Sequence, residues 1–176
     1  HVSMLLAAAR LASRPDDLDG VLHVIFQPAE EVEGGARAMI EDGLFDDIAT
    51  DSVYGLHNWP ALAPGNAVAR DDAMMAAFAT FEIDIVGRAA HGAMPHEGAD
   101  PVLAAGQVIS ALQSVASRNV SPLRAAVLSV TKVHGGDAFN VIPEKVTLGG
   151  TTRWFEPEVG DLIENRMGAL VASVAD

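Results

Sequence analysis

Val21-Leu22-His23-Val24-Ile25-Phe26 is a short apolar run, rich in β-branched residues and interrupted only by one imidazole. A continuous run of this length fits a strand covered on both faces, the environment of a parallel sheet. It stops at Gln27-Pro28-Ala29-Glu30-Glu31, and Gly34-Gly35 then leads into helical spacing through Ala36, Met39 and Ile40, closed by Gly43. Ahead of the run, Met4, Leu5, Ala8, Leu11 and Ala12 recur at helical spacing until Ser13-Arg14-Pro15 ends the pattern. Behind it, Ser52 to Leu56 reads as a second short strand, ending at His57-Asn58-Trp59-Pro60. Helix, strand, helix, strand predicts an α/β layer.

The periodicity changes after Pro60. Residues 60–72 carry the breakers Pro60, Pro64 and Gly65 and read as a loop. Phe81, Ile83 and Ile85 then alternate with Glu82 and Asp84, which predicts a half-exposed strand. Asp100-Pro101 supplies an N-cap and a first-turn proline, with Leu103, Val108, Leu112 and Val115 as the inward stripe of the helix that follows. Residues 126–133 and 145–153 read as two further strands. A last helix starts at Pro157, with Val159, Leu162, Ile163, Leu170 and Val174 on one face. This order is most of a split β-α-β-β-α-β, ferredoxin-like unit without its last strand. The expected organisation is thus an incomplete α/β domain over residues 1–72 and an α+β domain over residues 73–176.

Charge narrows the function. Eleven Lys and Arg face 24 Asp and Glu, a net charge of −13 over 176 residues. Such acidity disfavours nucleic acid, or an anionic membrane surface, as the main partner. No apolar run reaches the roughly 18 residues a membrane helix needs. The absence of cysteine excludes disulfides and thiolate metal sites within these residues, which fits a cytoplasmic location.

Several residues could carry chemistry. Glu30 and Glu31 follow the first strand at the end where open α/β sheets hold ligands. Adjacent carboxylates repel unless a cation or a proton lies between them. Taken alone, they read more readily as a solvated loop edge. His57 follows the next strand at the equivalent end. With the carboxylates it makes a coherent set, an imidazole and one carboxylate as metal ligands and the second carboxylate as general base. His91 lies in Gly87-Arg88-Ala89-Ala90-His91-Gly92-Ala93-Met94-Pro95-His96, and its functional and structural readings are evenly balanced. Asn140, in Asn140-Val141-Ile142-Pro143, and Arg153, ending the next strand, would meet at one sheet end if the flanking strands form a hairpin. An amide with a guanidinium is a good carboxylate receptor; a turn Asn and a surface Arg is the plainer reading. His23 is expected to be structural, and Trp59, Met74 and Met75 to be packing residues.

Four motifs occur in order: Gln27-Pro28-Ala29-Glu30-Glu31, Gly55-Leu56-His57-Asn58, Gly87 through His91 to Pro95-His96, and Gly136-Asp137-Ala138-Phe139-Asn140-Val141-Ile142-Pro143. Together they resemble the bacterial hippurate hydrolases and plant auxin-conjugate hydrolases. These form the amidohydrolase branch of the metallopeptidase family that includes aminoacylase and acetylornithine deacetylase. The resemblance spans essentially the whole chain. It implies a partial dinuclear-metallopeptidase catalytic domain followed by a lid and dimerisation domain. It also implies hydrolysis of N-acyl amino acids with two divalent ions (zinc, manganese, cobalt or nickel) and assembly as a homodimer through the lid.

The same resemblance implies roles. Glu30 would be the general base, Glu31 and His57 metal ligands, His91 the oxyanion donor reaching across a dimer interface, and Asn140 and Arg153 the holders of the substrate carboxylate. The family's Cys-Gly-His-Asp-x-His stretch would end at His1, and another ligating His would lie beyond Asp176. These residues would then carry only two of the ligands, bind metal weakly and show no useful turnover alone. A dipeptidase, and a non-catalytic dimerisation module or pseudoenzyme, are the competing expectations.

Overall fold

A computed structural model describes residues 2–31, 34–46 and 48–175; His1 lies outside them. The chain divides into two compact units, residues 1–67 and 68–176.

Among its described residues the first unit holds two α-helices, α1 (Val2–Ala12) and α2 (Gly35–Glu41), and a single 3-10 turn at Pro15–Asp17. No strand forms among its described residues. Residues 21–27 and 52–59 take no regular secondary structure, and neither enters a ladder. Val21 is 79% exposed, Phe26 66% and Tyr54 82%. The expected buried strands therefore lack the partners that define one. An apolar run becomes a core strand only where neighbours bond both backbone edges and layers cover both faces. His23, expected to be structural, is exposed for the same reason.

The second unit contains β1 (Ala77–Val86), β2 (Ala90–His91), α3 (Pro101–Ser114), β3 (Ala126–His134), β4 (Val141–Ile142), β5 (Lys145–Trp154) and α4 (Pro157–Ala175). Three strands make an antiparallel sheet in the order β1-β5-β3, and β2 pairs with β4 in a separate short ladder. The alternation in β1 turns Phe81, Ile83 and Ile85 toward the core. The central strand buries Val146, Leu148 and Thr152. Against them lie Val108, Leu112 and Val115 from α3 and its continuation, and Val159, Ile163 and Met167 from α4. The spacing of four between those α4 residues keeps them on one helix face. Asp100 caps α3 as expected, its Oδ1 accepting from the Val102 and Leu103 N–H groups at 2.8 and 3.2 Å.

Leu103 departs from expectation. It is 64% exposed, because five residues before Val108 put it about 140° around the helix from the buried stripe. Met74 and Met75 are likewise exposed rather than packed.

Two outcomes follow from this packing. Leu112 is fully buried, so Leu112→Ala is expected to destabilise this unit by about 2–5 kcal/mol, measured by urea unfolding. On the outer sheet face, the Lys145 ammonium and the Thr147 hydroxyl each approach the Asp84 carboxylate at 2.8 Å. They hold its carboxyl below the ordinary aspartate range. The resulting stabilisation is present above the unfolded-state pKa and is lost as pH falls through the lower folded value. Carboxyl titration followed by NMR should show that depression, and Lys145→Gln with Thr147→Val should return the midpoint to the ordinary range.

Candidate active site

Glu30 and Glu31 are exposed on a turn that the local backbone forces into shape. Ala29 just before them has φ 45°, a left-handed conformation uncommon for a residue with a Cβ. Gly35, at the start of α2, is buried against the same turn, and a Cβ there would collide with the Pro28 carbonyl. Only glycine lets the helix start approach so closely. The turn is thereby held against α2 while both carboxylates remain accessible.

His57 sits in the irregular 52–59 segment. Its Nδ1 lies 2.7 Å from the Asn58 carbonyl oxygen. A carbonyl only accepts, so Nδ1 carries the proton and donates, leaving the lone pair of the neutral ring on Nε2. Such a bond is how metal-binding histidines are oriented. Trp59 meets the imidazole edge-on at 6.2 Å between ring centroids, so its packing is against His57, with half of its own surface exposed.

His91 is set the other way. Its Nδ1 accepts from the Ala93 N–H at 3.1 Å, so the proton of the neutral ring is on Nε2. This imidazole is a hydrogen-bond donor facing outward. The loop that carries it closes through Arg88, which pairs with Ala99 through the backbone. The Arg88 guanidinium also donates to the Glu97 and Gly98 carbonyls at 3.1 and 3.4 Å. His91 lies opposite Val141 in the short ladder, and Gly92 N–H donates to the Asn140 carbonyl at 2.7 Å. The structure thus brings His91 and Asn140 together.

It does not bring Asn140 to Arg153. The flanking strands do form an antiparallel pair, but Asn140 precedes the Lys145 end of β5 and Arg153 sits near the other end. Eight residues separate Lys145 from Arg153 along β5, about 27 Å at the rise of an antiparallel strand. The expected amide and guanidinium pair at one sheet end is therefore not formed within one chain. Arg153 is half-buried, its guanidinium 4.6 Å from the Phe78 ring centroid. It donates through Nη1 to Thr151 Oγ1 at 2.7 Å and to the Thr152 carbonyl at 3.2 Å.

Carboxylate and imidazole are suitable donors for a borderline divalent ion, and the orientation of His57 fits a ligand. The number does not suffice: among the described residues no three His, Cys, Asp or Glu side chains come together in a way that could hold a metal ion. Arg88, Gly92 and Ala93 escaped the sequence reading. Gly92 has a local signal in its lack of a side chain, since a Cβ there would press on the Asn140 backbone; Ala93 acts through its backbone N–H, and the role of Arg88 depends on a backbone path that spacing does not reveal.

The chain combines helices and sheets with paired carboxylates exposed on a turn and two exposed imidazoles of opposite polarity. It belongs to the peptidase family M20/M25/M40, whose profile matches residues 1–164. It is 44% identical over 176 residues to an N-acetyl-L-cysteine deacetylase of Bacillus subtilis, covering 99% of this chain and 42% of that protein. It is 42% identical over 173 residues to a hippurate hydrolase of Campylobacter jejuni, covering 98% of this chain and 45% of the relative. Among solved structures, the Bacillus subtilis YXEP protein, described as a dinuclear metal binding peptidase from the M20 family, matches with TM-score 0.69 and 33% identity. That match covers 96% of this chain and 41% of the other. The chain spans less than half the length of the curated relatives it matches. No helix among the described residues is long and apolar enough to cross a membrane.

The hydrogen bonds of the two imidazoles give a direct expectation. In long-range 1H–15N spectra recorded where the rings are neutral, His57 should carry its proton on Nδ1 and His91 on Nε2. The same tautomer at both positions would contradict the geometry.

Proposed function

We propose that this chain belongs to a metal-dependent amidohydrolase that cleaves N-acyl amino acids to a carboxylic acid and a free amino acid. The observation that carries the reading is the opposite setting of the two imidazoles, one presenting a lone pair and the other an N–H. A ligand needs the first and a donor to a developing oxyanion needs the second. The names of the relatives, an N-acetylcysteine deacetylase and a hippurate hydrolase, point to the same substrate class.

In this reading Glu31 and His57 hold a divalent ion together with ligands outside the described residues. Such a centre polarises the scissile carbonyl and makes water a stronger acid. Glu30 takes the proton of the attacking water and passes it to the leaving amine. The Nε2–H of His91 donates to the carbonyl oxygen as it gains charge, and Asn140 and Arg153 bind the substrate carboxylate. Residues 1–72 would then be catalytic and residues 73–176 a lid. The span of about 27 Å along β5 exceeds a small N-acyl amino acid, which supports a homodimer in which His91 and Asn140 of one copy serve the Arg153 of the other.

Hydrolysis of N-benzoylglycine by the natural full-length protein tests this. Glu30→Gln is expected to lower kcat by about 100-fold or more, with loss on chelation of the metal. Mixing equal amounts of dissociated His91→Ala and Arg153→Ala proteins should restore roughly a quarter of the sites, since each mixed dimer holds one intact set. No gain on mixing would remove the shared site, and faster cleavage of a free dipeptide than of N-benzoylglycine would replace the substrate class.

A further inference from the structure

Arg153 is held in an unusual way for a half-buried cation. None of the ion pairs among the described residues involves it, so no described carboxylate pairs with its charge. Phe78 stands directly opposite it in the β1–β5 register, and the guanidinium carbon lies 4.6 Å from that ring's centroid. This is within the range of about 6 Å for a cation on an aromatic face. Thr151 precedes Arg153 by two residues, on the same face of the strand. Its hydroxyl donates to the Ala79 carbonyl at 3.1 Å, which commits the hydroxyl proton and leaves the oxygen to accept from Arg153 Nη1 at 2.7 Å. The second Nη1 proton goes to the Thr152 carbonyl at 3.2 Å.

Both hydrogens of Nη1 are thus consumed by the fold, and the ring covers one face of the plane. Three N–H groups remain; two of them, Nε–H and one N–H of Nη2, lie along one edge, and two parallel N–H groups match the two oxygens of a carboxylate. We propose that Phe78 and Thr151 are positioning residues for Arg153, fixing its guanidinium so that the Nε–Nη2 edge receives the substrate carboxylate. This rests on the reading of Arg153 as the carboxylate receptor. It adds which edge binds and which side chains orient it.

The test is a titration of the 15N-labelled full-length protein, with its metal chelated so that neither ligand is cleaved, using N-benzoylglycine and, separately, N-benzoylglycinamide, and following the Arg153 Nε–H resonance. The wild type should bind the carboxylate about tenfold or more tighter than the amide, with the Nε–H signal shifting only for the carboxylate. Arg153→Gln should abolish the preference. Thr151→Val and Phe78→Leu should each reduce it about three- to tenfold, with amide binding unchanged, and Thr151→Ser should restore it. If Thr151→Val does not fold, Phe78→Leu and Thr151→Ser carry the comparison.

The two ways of failing are distinct. A wild type without preference, or a preference surviving in Arg153→Gln, overturns the receptor reading and this proposal with it. A preference lost in Arg153→Gln but intact in Phe78→Leu and Thr151→Val overturns the positioning role alone.

Discussion

The placement of functional groups in residues 68–176 depends on how closely β5 is gripped by its two neighbours. Gly150 marks the tightest point: a Cβ there would run into the Ser129 carbonyl on one side and the Phe81 ring on the other. With glycine at that position, the Phe81 ring can lie over the strand while Val146, Leu148 and Thr152 stay buried on the helix side. The ladder then extends in register from Lys145 to Trp154. That register, and no local preference of the side chains, sets Phe78 against Arg153 and Asp84 against Thr147. A one-residue slip would turn every one of these groups to the opposite face.

How much was legible follows from where the determining partners sit. The alternation of residues 81–85, the Asp100-Pro101 cap and the α4 stripe are local signals, and each became the expected element because α3, α4 and the sheet supply their covering within the same hundred residues. Residues 21–26 carried an equally clear pattern. Apolar content says what a strand would bury, but the ladder partners must come from elsewhere, and none of the described residues provides them. Leu103 shows a smaller version of the same limit, since a stripe read from apolar spacing alone admits residues a third of a turn off the buried line.

For the candidate site, residue types were readable and their states were not. Glu30, Glu31, His57 and His91 stand out by chemistry and motif. Whether an imidazole offers a lone pair or a proton is decided by one neighbouring backbone group, the Asn58 carbonyl in one case and the Ala93 N–H in the other. Asn140 and Arg153 lie apart within one chain for a geometric reason. The strands pair as a hairpin, but a residue before a strand and one at its end are separated by the strand's whole length. Along a ten-residue strand that separation exceeds the reach of any side chain.

The exposed segment from Val21 to Phe26 has a consequence for handling this stretch of polypeptide. Its N–H and C=O groups make no ladder, and its side chains, His23 apart, are apolar, with no proline and no carboxylate, Lys or Arg among them. Such a segment is a template for edge-to-edge association between molecules. The charge of −13 spread over the chain opposes that association through mutual repulsion. Because added salt screens the repulsion and leaves the apolar attraction in place, these residues should self-associate more readily as ionic strength rises, the reverse of a protein held together by its ion pairs.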